Sequence, residues 1–261
     1  MKQRVITATI ALLIFIPLVI YGKLPFEILC ILLGLIGLSE IYIMRKKLLV
    51  SPEAMIGSLA GLTLLIPEQW LTFLPDPELR FSIFYFFILI YLLYTVVTRN
   101  RFSFDDAGFL TLGVIYISVG FHYLIVARQA GLDVLFLILF VVWATDSGAY
   151  MVGRKFGKNK LAPHISPNKT WEGTIGGSVI ALIVGAVFTY FFPQVYSWGT
   201  MLLVILLASV AGQLGDLVES ALKRYYGVKD SGKILPGHGG ILDRFDSLLV
   251  VLPIMHFVGL I

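Results

Sequence analysis

Long apolar runs, each broken by a short polar or charged stretch, repeat from one end of the chain to the other. They lie near residues 5–22, 24–44, 54–74, 80–98, 107–127, 132–152, 174–192, 199–222 and 240–260. Most approach the ~20 residues that carry a helix across a hydrocarbon core. Neither the alternation of half-buried strands nor the short amphipathic helices of a soluble domain is present. The pattern predicts an all-α, polytopic membrane protein with about nine spans. The third span is the weakest, because Pro67, Glu68 and Gln69 interrupt it. The first, opening at Val5, is followed by no small-residue cleavage site and is expected to be a retained helix rather than a removed leader.

Composition agrees: 58% of the 261 residues are hydrophobic and only 14% charged. A single cysteine, Cys30, excludes an intrachain disulfide and fits a buried helix position. The net charge of +4 could suggest a nucleic-acid partner, but its distribution points to a membrane and none is expected. With the N-terminus cytoplasmic, sixteen of the twenty Lys and Arg residues fall on inside segments. Only Lys23, Arg80 and Arg128 fall outside, and Arg244 lies within the last span. That is a strong positive-inside bias, which an even number of spans would spoil. The expected topology is therefore N-terminus inside and C-terminus outside, in a single membrane domain. Residues 1–130 supply the N-terminal helices, and 131–261 the helices and cytoplasmic loops that carry the chemistry.

The acidic residues inside apolar runs change the picture. A carboxylate at mid-bilayer costs about 2.5–3.5 kcal/mol even on an insertion scale, so such residues face partners or a polar cavity. Asp146, Asp216, Glu219, Asp243 and Asp246 all lie near the inner ends of late spans. Glu40, in the second span, is either structural, paired with Arg45 or a neighbouring loop, or part of the same chemistry. Asp216, Glu219, Ser220 and Lys223 share one helix face by their spacing, and Asp243 and Asp246 share another. Two helices that offer paired oxygens at one depth can hold a hard cation such as Mg2+, which prefers a few carboxylates completed by water and phosphate.

Basic and glycine-rich stretches surround these acids. Lys223, Arg224, Lys229 and Lys233 suit a polyphosphate, and the Pro236–Gly240 turn exposes backbone amides ahead of a helix start. The other large inside loop, 153–173, adds Arg154, Lys155, Lys158, Lys160, Ser166, Lys169 and Thr170. Its "GRKFGK" piece lacks P-loop spacing and is no Walker motif. Together these features describe a phosphate-transfer site. The bland alternative, acids merely neutralised in internal salt bridges, is a fair reading for any one residue. It is a poor one for the whole constellation, given the cost of burying so many charges.

The stretch "SALKRYYGVKDSGKILPGHGGILDRFD", Ser220 to Asp246, resembles the signature of the phosphatidate cytidylyltransferases (CDP-diacylglycerol synthases). So do "DSGAYMVGRKFGK" and "ISPNKTWEG" upstream; the first five helices are similar only in hydropathy and spacing. The resemblance implies that CTP and phosphatidic acid give CDP-diacylglycerol and pyrophosphate, in a commonly dimeric, Mg2+-dependent membrane enzyme. The family's metal-binding aspartates map onto Asp216, Asp243 and Asp246, with Asp146 completing the polar cavity or a second cation site. Lys223, Arg224, Lys229 and Arg244 are expected on phosphates, and His238, Gly239, Gly240 and Ser220 at the substrate. Lys169, Ser166 and Thr170 are expected at the triphosphate or lipid headgroup. The site would face the cytoplasm at the inner membrane of a bacterium. The alternatives are a CTP-dependent transferase for another lipid phosphate or a polyprenol and, from a different class, an ion-coupled transporter.

Overall fold

The computed structural model describes residues 2–76 and 78–261, without the side chains of Lys2, Arg4 and Val5, so the charges counted at Lys2 and Arg4 lie outside the described residues. Nine α-helices are present among them. They are α1 (Lys2–Tyr21), α2 (Lys23–Met44), α3 (Pro52–Leu65), α4 (Leu79–Val97) and α5 (Phe104–Ala130), then α6 (Leu132–Phe156), α7 (Trp171–Phe191), α8 (Trp198–Tyr225) and α9 (Leu242–Phe257). A short antiparallel hairpin, β1 (Lys160–Ala162) and β2 (Ser166–Thr170), joins α6 to α7. Six helices, α2 and α4 to α8, are long and apolar enough to cross a membrane. The apolar part of α1, Ile6–Tyr21, and all of α3 are shorter.

Local chemistry sets these boundaries. Ser51 caps α3 by accepting from the Ala54 amide at 3.4 Å, and Pro52 fits the first helical turn. The same helix stops at Leu65 because the residue before Pro67 is driven out of the helical region; Ile66 is extended. The expected span 54–74 is thus a helix of fourteen residues, followed by a 3-10 turn at Glu68–Trp70. At ~1.5 Å per residue that is about 21 Å, short of a full hydrocarbon core.

The chain forms two compact units, one of residues 1–125 with 230–242, the other of residues 126–229 with 243–261. In the first, Tyr42, Tyr91, Phe26, Phe121, Leu38 and Ile41 are fully buried. Glycines let its helices close up: a Cβ on Gly34 would lie 2.6 Å from a Leu65 methyl, and one on Gly61 2.6 Å from a Leu38 methyl. Cys30 is buried in α2, as expected. Arg45 pairs with Asp106 rather than with Glu40, and Lys47 pairs with Glu53 at 3.1 Å.

In the second unit α6 and α7 pack with their backbones nearly touching. A Cβ on Gly177 would lie 2.6 Å from the Thr145 carbonyl oxygen, and one on Gly173 2.8 Å from that of Ala149. Gly173 and Gly177 form a G-x-x-x-G pair, the small-residue spacing that lets membrane helices approach. Inside this packing the Thr145 hydroxyl donates to Ser209 Oγ at 2.9 Å, and Ser209 donates to Ser178 Oγ at 3.1 Å. Gln213 Nε2 also donates to Ser178 Oγ, at 3.0 Å. A polar seam therefore ties α6, α7 and α8 together within an apolar core.

Candidate active site

The seam leads to the acids. One residue beyond Gly215, α8 presents Asp216, and Gly215 is where α9 comes closest: its Cβ would lie 2.7 Å from the Asp246 carbonyl oxygen and 3.0 Å from Ser247 Cα. Only a missing side chain allows that approach. It brings Asp216 and Asp246 within electrostatic range of each other and of Asp146 on α6, with Lys169 and Arg244 also beside Asp146.

Two lysines enter this acidic cluster. Lys169, near the end of β2, places Nζ 2.7 Å from Asp216 Oδ2 and also donates to the Gln213 carbonyl oxygen at 3.3 Å. Ser220, one turn along α8, donates to Asp216 Oδ1 at 3.2 Å. Lys223 places Nζ 2.6 Å from Glu219 Oε2 and 2.7 Å from Asp243 Oδ1, so it bridges α8 and α9. Of these groups the Glu219 and Asp243 side chains are nearly dry, 1% and 4% exposed, while Asp216 is 33% exposed. Lys223 is therefore a buried counter-charge, whereas Lys169 and Asp216 meet where solvent, or a substrate, can reach them.

Other expected site residues are placed differently. Thr170 is buried, and its hydroxyl caps α7 by accepting from the Gly173 amide at 3.2 Å. Ser166 sits in β2, half-buried, and Arg224 fastens the end of α8 to the hairpin by donating from Nε to the Ile165 carbonyl oxygen at 3.2 Å. Glu172 closes the loop before the hairpin, accepting from the Lys158 amide at 3.1 Å and from Asn159 Nδ2 at 2.7 Å. Lys229 is exposed at the end of the second unit's first segment. His238, Gly239 and Gly240 belong to the first unit. There the turn is closed by the Leu235 amide to the Gly239 carbonyl at 3.0 Å, with Gly237 and Gly239 at the positive φ that glycine tolerates. Just past that turn, at the helix start, the Ile241 and Leu242 amides donate to Glu40 of the chain itself at 2.7 and 3.0 Å.

Among the described residues no group of three or more His, Cys, Asp or Glu side chains is gathered tightly enough to enclose a metal ion. The donors present are carboxylate oxygens, the hard ligands that a hard divalent cation takes. They fit a cation that water and substrate phosphate must complete, and they do not form a protein cage. Chemically, the cluster offers anionic oxygens beside ammonium groups, an arrangement suited to holding a polyphosphate with its counter-cation.

The resemblance extends beyond the motifs. The family model described as "Cytidylyltransferase family" matches residues 2–261. A protein from Bacillus subtilis named phosphatidate cytidylyltransferase is 51% identical over 261 residues, covering 99% of this chain and 97% of that one. Proteins of the same name from Staphylococcus haemolyticus and Staphylococcus aureus are 46% and 44% identical over 258 residues, each covering 99% of this chain and 98% of the relative.

Proposed function

The chain belongs to the cytidylyltransferase family, and from that premise we propose that it transfers the cytidylyl group of CTP to phosphatidic acid, giving CDP-diacylglycerol and pyrophosphate. The observation that carries the site assignment is the convergence of Asp146, Asp216, Asp243 and Asp246 with Lys169, Lys223 and Arg244 inside one compact unit. The phosphatidate oxygen attacks the α-phosphorus of CTP, forming a new P–O–P link. The bond from the α-phosphorus to the bridging oxygen breaks, and pyrophosphate leaves with that electron pair. Both reactants are already anionic near neutral pH, so no protein nucleophile is needed. The work is alignment and neutralisation of charge.

We read Asp216, Asp243 and Asp246 as the carboxylates that would serve a divalent cation, Mg2+ in our reading, which water and substrate phosphate must complete because the three do not enclose it by themselves; Asp146 would serve a second cation or the cavity wall. When bound, that cation neutralises phosphate charge and polarises the phosphorus centre. Lys169 swings between Asp216 and a phosphate oxygen, since its side chain is at the open end of the cluster. Lys223 has three donors; one reaches Glu219, one reaches Asp243, and the third serves a phosphate oxygen. Arg244, exposed one residue after Asp243, meets phosphate from the other side, and Arg224, Lys229, Ser166 and Ser220 line the approach. Thr170 supports the site from below as a helix cap.

We also place nine crossings in the membrane with the N-terminus cytoplasmic, which puts the basic loops and the site on the side where CTP is found. The charge asymmetry supports this, as does the bacterial source of the relatives, which suits an inner-membrane location. We read both units as parts of one membrane domain. We add a homodimer, which the family resemblance supports. The test is label transfer by the purified protein in lipid nanodiscs with Mg2+ and phosphatidic acid. Label from α-32P-CTP should enter the lipid, and label from γ-32P-CTP should leave as pyrophosphate. Lipid labelled from the γ position would make the protein a kinase and sink the assignment.

A further inference from the structure

Glu40 is 3% exposed in the last turns of α2. Its Oε1 accepts from the Ile241 amide at 2.7 Å, and its Oε2 accepts from the Leu242 amide at 3.0 Å and from Ser231 Oγ at 2.8 Å. The partners lie 191 to 202 residues away and bracket the glycine-rich segment before α9. Both flanks of the carboxylate are glycine: a Cβ on Gly232 would lie 2.7 Å from Oε1, and one on Gly240 would overlap both oxygens and Ser231 Oγ. Thus Ser231, Gly232, Gly240, Ile241 and Leu242 are shaped around one buried side chain. An anion at the N-terminus of α9 also meets the positive end of the helix dipole.

We propose that Glu40 is a positioning residue for the transfer reaction: it clamps the segment 231–242 and fixes the residue at which α9 begins. The next residue is Asp243. A helix turns once in ~3.6 residues, so a start displaced by one position would rotate Asp243 and Asp246 by about 100° around the α9 axis. Glu40 touches no substrate; it acts through the phase of α9. The inference rests on the reading that Asp243 and Asp246 work in the transfer.

The experiment compares wild type, Glu40→Gln and Glu40→Ala as full-length proteins in nanodiscs, with two readouts. Hydrogen exchange of the 231–242 amides reports the clamp without turnover. Steady-state kinetics with CTP and phosphatidic acid separate kcat from KM. Gln keeps the shape and one acceptor oxygen but turns an NH2 toward an amide N–H. The expected results are exchange in 231–242 faster by about tenfold or more, α6–α8 unchanged, and kcat lower by about tenfold to a hundredfold. KM for CTP should stay within about twofold, with Ala worse than Gln on every readout. Unchanged exchange in both variants would overturn the clamp. Faster exchange with wild-type kcat would overturn the positioning role, and so would loss of folding in Gln and Ala alike, which marks a purely structural residue. Should wild type itself fail to make product, the reaction assignment falls while the exchange data still decide the clamp.

Discussion

Gly215→Ala isolates the contact on which the site geometry depends. The new Cβ would meet the Asp246 carbonyl oxygen at 2.7 Å, Ser247 Cα at 3.0 Å and the Ser247 carbonyl oxygen at 3.2 Å. Heavy atoms prefer about 3.5–4.0 Å, and these neighbours are backbone, so α8 and α9 must part by roughly half an ångström or more. Overpacking of this kind costs about 1–3 kcal/mol. Alanine returns about 0.8–1.0 kcal/mol through helix propensity, so the net stability loss is modest. Activity is the sharper readout, since Asp216 and Asp246 flank the contact and misplacement by about 1 Å can cost a hundredfold. Gly212→Ala is the control, because its Cβ would lie an ordinary 3.4 Å from a Val251 methyl and 3.6 Å from Ser247 Cβ. The assay is CDP-diacylglycerol formation beside thermal unfolding in the same nanodiscs. If Gly215→Ala is as active as Gly212→Ala, the claim that close approach of α8 and α9 sets the acids is wrong.

Lys223→Met should destabilise by about 3–5 kcal/mol, because it leaves Glu219 and Asp243 buried without their counter-charge; thermal or denaturant unfolding in detergent measures it. Lys169→Met should behave oppositely: its ion pair is partly exposed, so stability should change by no more than about 1 kcal/mol while turnover falls at least about tenfold. Equal stability losses in the two variants would contradict the distinction between buried counter-charge and mobile ligand. Thr145→Val removes the donor that begins the polar seam and should cost about 0.6–1.7 kcal/mol of stability with turnover nearly intact.

Local and periodic features of the molecule were legible in the sequence; features that join distant segments were not. The nine apolar runs correspond in order to helices, and Pro67 marks where the third one fails. The shared face of Asp216, Ser220 and Lys223 followed from helical spacing, and Ser220 does reach Asp216. The hairpin at 160–170 was missed because its strands are three and five residues long and carry no alternation. The Lys169–Asp216 pair depends on how that hairpin folds back, so no spacing rule could find it. Thr170 is of a residue type preferred at helix N-caps, yet its place in a basic loop suggested a ligand. Glu40 shows the limit most clearly. Of the two partners expected for it, Arg45 and a neighbouring loop, the loop is the one found: Asp106 takes Arg45 and the carboxylate accepts from amides beyond residue 230, a loop that proximity in the chain could not single out. The G-x-x-x-G pair at Gly173 and Gly177 was available as a signal for the α6–α7 contact.

The acid–lysine cluster of the second unit is where we propose that cytidylyl transfer takes place, and this assignment can be checked. It is tested most directly by following label from α-32P-CTP into phosphatidate with wild type, Asp216→Asn, Asp243→Asn and Asp246→Asn, each titrated with Mg2+. The account predicts that wild type labels the lipid and that each folded variant is slower by at least about a hundredfold. It also predicts that variants retaining activity need more Mg2+. Folded variants that label lipid at the wild-type rate and the wild-type Mg2+ requirement would contradict it.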